Sequence, residues 1–200
     1  VIIGGNEDKE GECTILRSFV EMAGGRKARI AVLTTATEYP REAGDQYRTL
    51  FSGMGAAEVP VLYIDNRESA CASHHIGEID RATGIFFTGG DQLRLTSILG
   101  GSGVDAALRK AFARGTVIAG TSAGASVMSD TMIVGGDSSD TPKKSTLSMA
   151  HGMGLVSEVV IDQHFAQRGR INRLLAAVAQ NPHILGVGID EDTALVVAGD

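Results

Sequence analysis

Val117-Ile118-Ala119-Gly120-Thr121-Ser122-Ala123-Gly124-Ala125-Ser126 carries the decision about both fold and chemistry. The β-branched and small apolar residues at its start read as a buried strand. The run breaks at Gly120, presents Ser122, and continues into small residues fit to open a helix. This is a G-x-S-x-G nucleophile elbow, in which a tight strand-to-helix turn lifts one hydroxyl above a sheet. A Cβ at either flanking glycine would clash in so sharp a turn. The amides after Ser122 open the helix and can donate to a developing oxyanion. The pattern alone also suits a packed strand–helix turn, so its meaning depends on what the rest of the chain brings to it.

Outward from the elbow, strand-like apolar runs alternate with helical patterns along all 200 residues, the signature of an α/β protein built on a parallel sheet. Strands are expected at 1–3, 28–33, 59–64, 84–88, 117–121, 156–162, 185–189 and 193–198. Helices are expected at 14–22, 41–54, 73–82, 92–99, 104–114 and 169–180. In the last helix Ile171, Leu174, Leu175 and Val178 form an apolar stripe at i, i+3, i+4, i+7. The polar stretch 133–146 reads as a long surface loop. The expected architecture is a three-layer, mostly parallel sheet with helices on both faces, in one domain over 1–200.

Composition bounds the function. The formal net charge of −6 and the lack of a basic run argue against nucleic acid as a partner. Cys13 and Cys71 are too few for a disulfide framework and too far apart for a metal motif, so a reducing, cytoplasmic setting is the default. No apolar run approaches the ~18 residues of a membrane span. Val1 lies inside a strand-like run and 199–200 follow another, which suggests trimming at both ends.

In open α/β sheets the site forms beyond the carboxyl ends of the strands. Four polar loops follow strands here: Gly89-Gly90-Asp91-Gln92, the Ser122 elbow, Asp162-Gln163-His164 and Asp190-Glu191-Asp192. A serine nucleophile needs a base, and the base an orienting acid. His164, at the end of an apolar strand, is the best of five histidines for the base; His74, His75, His151 and His183 read as surface or capping residues. The acid comes from the 190–192 turn. The chain order Ser…His…acid differs from that of the α/β-hydrolases.

Four motifs carry a resemblance: Phe87-Thr88-Gly89-Gly90-Asp91-Gln92; Gly120-Thr121-Ser122-Ala123-Gly124-Ala125; Asp162-Gln163-His164-Phe165 with Arg168, Arg170 and Arg173; and Gly188-Ile189-Asp190-Glu191-Asp192-Thr193-Ala194. Together, over nearly the whole chain, they resemble the cyanophycinases, within the serine peptidase family that also contains aspartyl dipeptidase. The resemblance implies a flavodoxin-like fold related to class I glutamine amidotransferases, usually dimeric, and no metal or cofactor. It implies hydrolysis of cyanophycin, a poly-aspartate whose β-carboxyls carry arginine, to β-Asp-Arg. By motif position Ser122 would be the nucleophile, His164 the base and Glu191 the orienting acid. Gly90 and Ala123 would supply the oxyanion amides. Gln92, Asp162, Gln163, Arg168, Arg170 and Arg173 would line the substrate pocket, with Asp162 suited to a guanidinium and the arginines to a carboxylate. Competing readings are an exopeptidase for Asp-X or isoaspartyl peptides and a non-catalytic binding module. A glutaminase is disfavoured, because those enzymes carry Cys at the elbow.

Overall fold

The computed structural model describes residues 1–136 and 147–198. In chain order the elements are β1 (Ile2–Ile3), α1 (Thr14–Met22), β2 (Ile30–Leu33), α2 (Pro40–Gly53), β3 (Val61–Leu62), α3 (Ser73–Arg81) and β4 (Gly84–Phe87). They continue with α4 (Gln92–Leu99), α5 (Gly103–Ala113), β5 (Val117–Thr121), α6 (Ala123–Ser126), β6 (Thr131–Gly136) and β7 (Leu147–His151). The last are β8 (Val159–Gln163), α7 (Ile171–Gln180), β9 (Leu185–Ile189) and β10 (Ala194–Leu195).

The central sheet has six strands in the order β10-β1-β5-β4-β2-β3. All neighbours run parallel except β10, which is antiparallel to β1. The run β3-β2-β4-β5 is the 2-1-3-4 arrangement of flavodoxin-like sheets, and β1 takes the place next to it. Strand alternation explains why both faces need helices. Ala31, Leu33, Ile85 and Phe87 face one side, where Ile79, Leu95 and Leu108 of α3, α4 and α5 cover them. Ile30, Val32, Phe86 and Ala119 face the other, against Phe19 of α1 and Tyr47 and Phe51 of α2. Phe19, Tyr47, Phe51 and Phe86 pack as one aromatic group, with ring centroids 4.5 Å apart for Tyr47–Phe86 and 5.2 Å for Phe51–Phe86. Each such ring, fully buried, contributes about 1.5–3 kcal/mol. This is the expected three-layer, mostly parallel α/β fold.

Several expectations are corrected. The strand at 156–162 starts later, at Val159, and pairs with β9 alone as a separate parallel ribbon. Glu158 sits at φ 60°, a left-handed conformation that breaks extended chain just before it. The strand at 59–64 shrinks to Val61–Leu62, with Pro60 able to accept from Val32 but not to donate. The polar stretch begins inside a strand: Thr131–Gly136 forms an antiparallel ladder with Leu147–His151. Residues 137–146 of the expected loop lie outside the described residues. In α7 the stripe is rotated. Leu174 is 7% exposed and packs with Val160 and Ala177, but Ile171 and Leu175 are each 52% exposed. The inner face is shared with Arg170 and Arg173, whose guanidiniums turn inward to a buried carboxylate.

Candidate active site

The elbow forms because glycine stands at two positions where the backbone leaves no room. A Cβ on Gly120 would lie 2.3 Å from the Gly124 carbonyl oxygen, and one on Gly124 would lie 2.5 Å from that of Phe87. Between them Ser122 adopts φ 54°, ψ −113°, a sparsely populated conformation of the kind that functional turns hold in place through their surroundings. Its amide donates to Ile3 O at 3.1 Å, and its carbonyl accepts from Ala125 and Ser126, each at 3.0 Å. The turn is thus tied to β1 on one side and α6 on the other.

Ser122 Oγ lies 3.0 Å from His164 Nε2, and His164 Nδ1 lies 2.6 Å from Glu191 Oε1. An ionised carboxylate only accepts, so Nδ1–H donates to Glu191 and the Nε2 lone pair faces the serine hydroxyl. The hydrogen bond from His164 holds the Glu191 carboxyl below the usual carboxylate range, with Asn6 Nδ2 donating to Oε2 at 3.1 Å as the next cause. His164 is itself at φ 49°, and its amide donates to Gly4 O at 2.7 Å. Three segments far apart in sequence therefore meet at the carboxyl end of β1. They do so although β8 and β9, which carry His164 and Glu191, stand outside the central sheet.

Gly5 packs flat against the imidazole. A Cβ there would lie 2.3 Å from His164 Cε1 and 2.4 Å from Nε2, at a φ of 104°. Gly5→Ala is expected to push His164 off Ser122. Turnover should fall at least about 100-fold, the cost of a ~1 Å misplacement of a reacting group, with labelling by a fluorophosphonate slowed in parallel. Unchanged labelling would mean that the histidine does not activate the serine.

The other residues expected at the site divide into two groups. Among the described residues the Gly90 and Ala123 amides have no hydrogen-bond acceptor, so both remain available to a ligand. Gly89 is closer to Ser122 than Gly90 is: its Cβ direction meets Ser122 Cβ at 3.4 Å. Gln92 opens α4 and donates to Ile133 O at 3.0 Å, bridging to β6. Arg168 is exposed and adds a smaller lowering influence on Glu191.

Asp162, Gln163, Arg170 and Arg173 form a buried ionic cluster instead of an open pocket wall. The Asp162 side chain is 1% exposed, and those of Arg170 and Arg173 are 9% and 10%. Arg173 holds Asp162 through both carboxylate oxygens, with Nε at 2.7 Å from Oδ2. Arg170 Nη1 donates to Gln163 Oε1 at 2.9 Å and to Asp162 Oδ1 at 3.3 Å. Burial and then Arg173 lower the Arg170 guanidinium to about 10, with Asp162 opposing. The arginines therefore do not occupy a solvated helix face. They bind α7 to the end of β8, directly behind His164.

The cavity over Ser122, about 360 Å³, is lined by residues the sequence reading did not single out: Asn6, Glu7, Lys9, Tyr47 and Thr121, with Gly89, His164 and Glu191. Glu7 is buried. It accepts from Tyr47 Oη at 2.5 Å and from Thr121 Oγ1, and pairs with Lys9 Nζ at 3.0 Å. Burial and the Glu7 charge push the Tyr47 hydroxyl well above its ordinary value. One signal pointed here: Gly4-Gly5-Asn6-Glu7 is also a polar loop at the carboxyl end of a strand. Likewise His75, expected at the surface, is buried on α3, and burial lowers its imidazole. Among the described residues no group of three or more His, Cys, Asp or Glu side chains is placed to hold a metal ion, and no helix is long and apolar enough to cross a membrane.

Comparison with known proteins gives a consistent result. The model of a family described as Peptidase family S51 matches residues 1–200. A cyanophycinase from Trichormus variabilis is 44% identical over 201 aligned positions, covering 100% of this chain and 67% of that protein. One from Geminocystis herdmanii is 42% identical over 201 positions, covering 100% and 74%. Among solved structures, a peptidase from an acI-B1 Actinobacterium superposes with a TM-score of 0.70 at 21% identity, covering 94% of this chain and 78% of that one.

Proposed function

This chain belongs to peptidase family S51, and we propose that it is a serine-type exopeptidase that hydrolyses cyanophycin to β-Asp-Arg dipeptides. The observation that carries the reading is the hydrogen-bonded series Ser122 Oγ–His164 Nε2–Glu191 Oε1, at 3.0 and 2.6 Å. The identity to cyanophycinases over the full chain supports the substrate.

In this reading Ser122 Oγ attacks the scissile carbonyl as His164 Nε2 takes its proton. The charge that develops on the carbonyl oxygen is held by the Gly90 and Ala123 amides, each such donor being worth about 2.7–4 kcal/mol. His164 returns the proton to the leaving amine, and an acyl-enzyme on Ser122 remains. Water, deprotonated by His164, then releases the acid and restores the hydroxyl. Glu191 keeps the imidazole in the required tautomer and stabilises its charged form.

The proposal includes the homodimer and the cytoplasmic setting expected from the sequence. The exposed pair Ile171 and Leu175 on α7 supports a contact between copies, and the free thiols of Cys13 and Cys71 suit a reducing compartment. Family membership equally supports an exopeptidase for Asp-X or isoaspartyl peptides.

Incubation with cyanophycin granules separates these readings. Clearing of turbidity, with β-Asp-Arg identified by mass, is the expected result. No clearing, with Ser122 still labelled by a fluorophosphonate, would assign the site to the small peptides. The absence of both clearing and labelling would overturn the serine mechanism.

A further inference from the structure

The turn after β4 faces two ways. Gly89 lines the cavity over Ser122, while the next residue, Gly90, lines a second cavity of about 460 Å³ with Thr37 and Arg94. Thr37 and Arg94 also line a third, of about 210 Å³, together with Thr35, Arg41, Tyr63 and Asp65. The three cavities thus follow one another along the carboxyl ends of β5, β4, β2 and β3. Apart from Gly90, no residue lining the last two is invoked in the mechanism.

Three independent features suit this path to a ligand. First, it carries two guanidiniums that, among the described residues, have no carboxylate partner, in a chain of net charge −6. Second, both are exposed and oriented by contacts that leave their terminal nitrogens available. Arg94 Nε donates to Thr35 O at 2.9 Å, and Arg41 lies over the Tyr63 ring, 5.5 Å from its centroid. A preorganised planar fork suits a carboxylate, because less freedom is lost on binding. Third, Thr35 Oγ1 is buried beside them with no hydrogen-bond partner, although the residue is only 3% exposed. A buried hydroxyl left unpaired costs about 1–3 kcal/mol, which a bound acceptor would recover. Asp65 places one negative charge in the same cavity.

We propose that these two cavities form an extended subsite for the polymer. There, repeats flanking the cleaved one place their arginyl carboxylates on Arg41 and Arg94 and a guanidinium toward Asp65. The path carries the guanidiniums of Arg41 and Arg94 and the carboxylates of Glu38, Asp65 and Asp91, the last engaged by the Leu93 and Arg94 amides. It therefore offers both signs of charge to a polymer whose every repeat carries one carboxylate and one guanidinium. This inference rests on the cyanophycin reading. It adds that substrates longer than the cleaved unit bind through residues remote from Ser122.

The test compares a four-repeat and a two-repeat oligomer of the polymer on wild type, Arg41→Gln, Arg94→Gln and the double variant. Arg41→Gln breaks no hydrogen bond found among the described residues, so it guards against a folding effect of Arg94→Gln; thermal melting of each checks this. The double variant is expected to raise KM for the four-repeat oligomer at least about tenfold, the effect of losing ~1.4 kcal/mol of binding. Its kcat, and both constants for the two-repeat oligomer, should not change. Equal losses on both substrates, or none on the longer one, would overturn the subsite. If wild type cleaves neither oligomer, the proposed function fails instead. Calorimetric binding of the four-repeat oligomer then decides the subsite: weaker binding by the double variant supports it, and equal or no binding overturns it.

Discussion

Ser122→Ala is expected to lower kcat by about 10⁶-fold, the loss seen when the nucleophile of a serine–histidine–acid unit is removed, with no change in melting temperature. Among the described residues the hydroxyl makes one hydrogen bond, to His164 Nε2, and none to the backbone. Alanine keeps the Cβ, so the turn at φ 54° is neither relieved nor further strained. The Gly90 and Ala123 amides would persist in the variant, so weak polarisation of a bound carbonyl survives and sets the residual rate. The experiment is a burst titration with a fluorophosphonate followed by steady-state turnover of the polymer. Retention of more than about 1% of the wild-type rate would assign the nucleophile elsewhere. A large fall in melting temperature would mean that the hydroxyl serves the fold.

The largest stability effect is expected from Asp162→Asn, about 3–5 kcal/mol. The change is nearly isosteric and removes one charge. It leaves the guanidiniums of Arg170 and Arg173, with side chains 9% and 10% exposed, facing each other without their shared anion. It also turns an acceptor into an amide donor that meets the Arg173 N–H groups. For a chain of this size the melting temperature should fall by roughly 6–20 °C, and the urea midpoint should fall with an unchanged slope. The position of Arg170 and Arg173 behind His164 predicts that activity is lost with the fold and not before it. If Asp162 instead received the guanidinium of the substrate, the variant would melt normally and show a raised KM.

The two variants mark the boundary between what is local in this protein and what is not. The elbow is written in contiguous residues: Gly120 is required by a clash with the Gly124 carbonyl that the same turn brings near, and an apolar run before it reads as a buried strand. The clash that requires Gly124, however, is with Phe87 on the neighbouring strand β4. The layer order follows as well, because β2, β4 and β5 are apolar on both faces and parallel strands need helices between them. The helix at 92–99 shows its bounds through Asp91, whose side chain caps the Leu93 and Arg94 amides, and through Gly100. Apart from the contact of Gly124 with Phe87, none of this depends on partners far along the chain.

What long-range packing decided is how distant segments are used. Helical spacing made Ile171 and Leu175 an inner stripe and the arginines an outer face. The carboxylate of Asp162, buried at the end of β8, reversed the choice, since leaving that charge unpaired would cost more than exposing two apolar side chains. Glu7 and Lys9 belong to none of the motifs legible in the sequence. Their place beside Ser122 exists only because β1 pairs with β5. Ser122 and His164 lie 42 positions apart and His164 and Glu191 27, and no periodicity reports a distance of 3.0 or 2.6 Å between such residues. Local sterics and alternation specify turns and faces within one segment. The energy of a buried charge or a completed hydrogen-bond series depends on which other segments arrive, and only the folded chain brings them together.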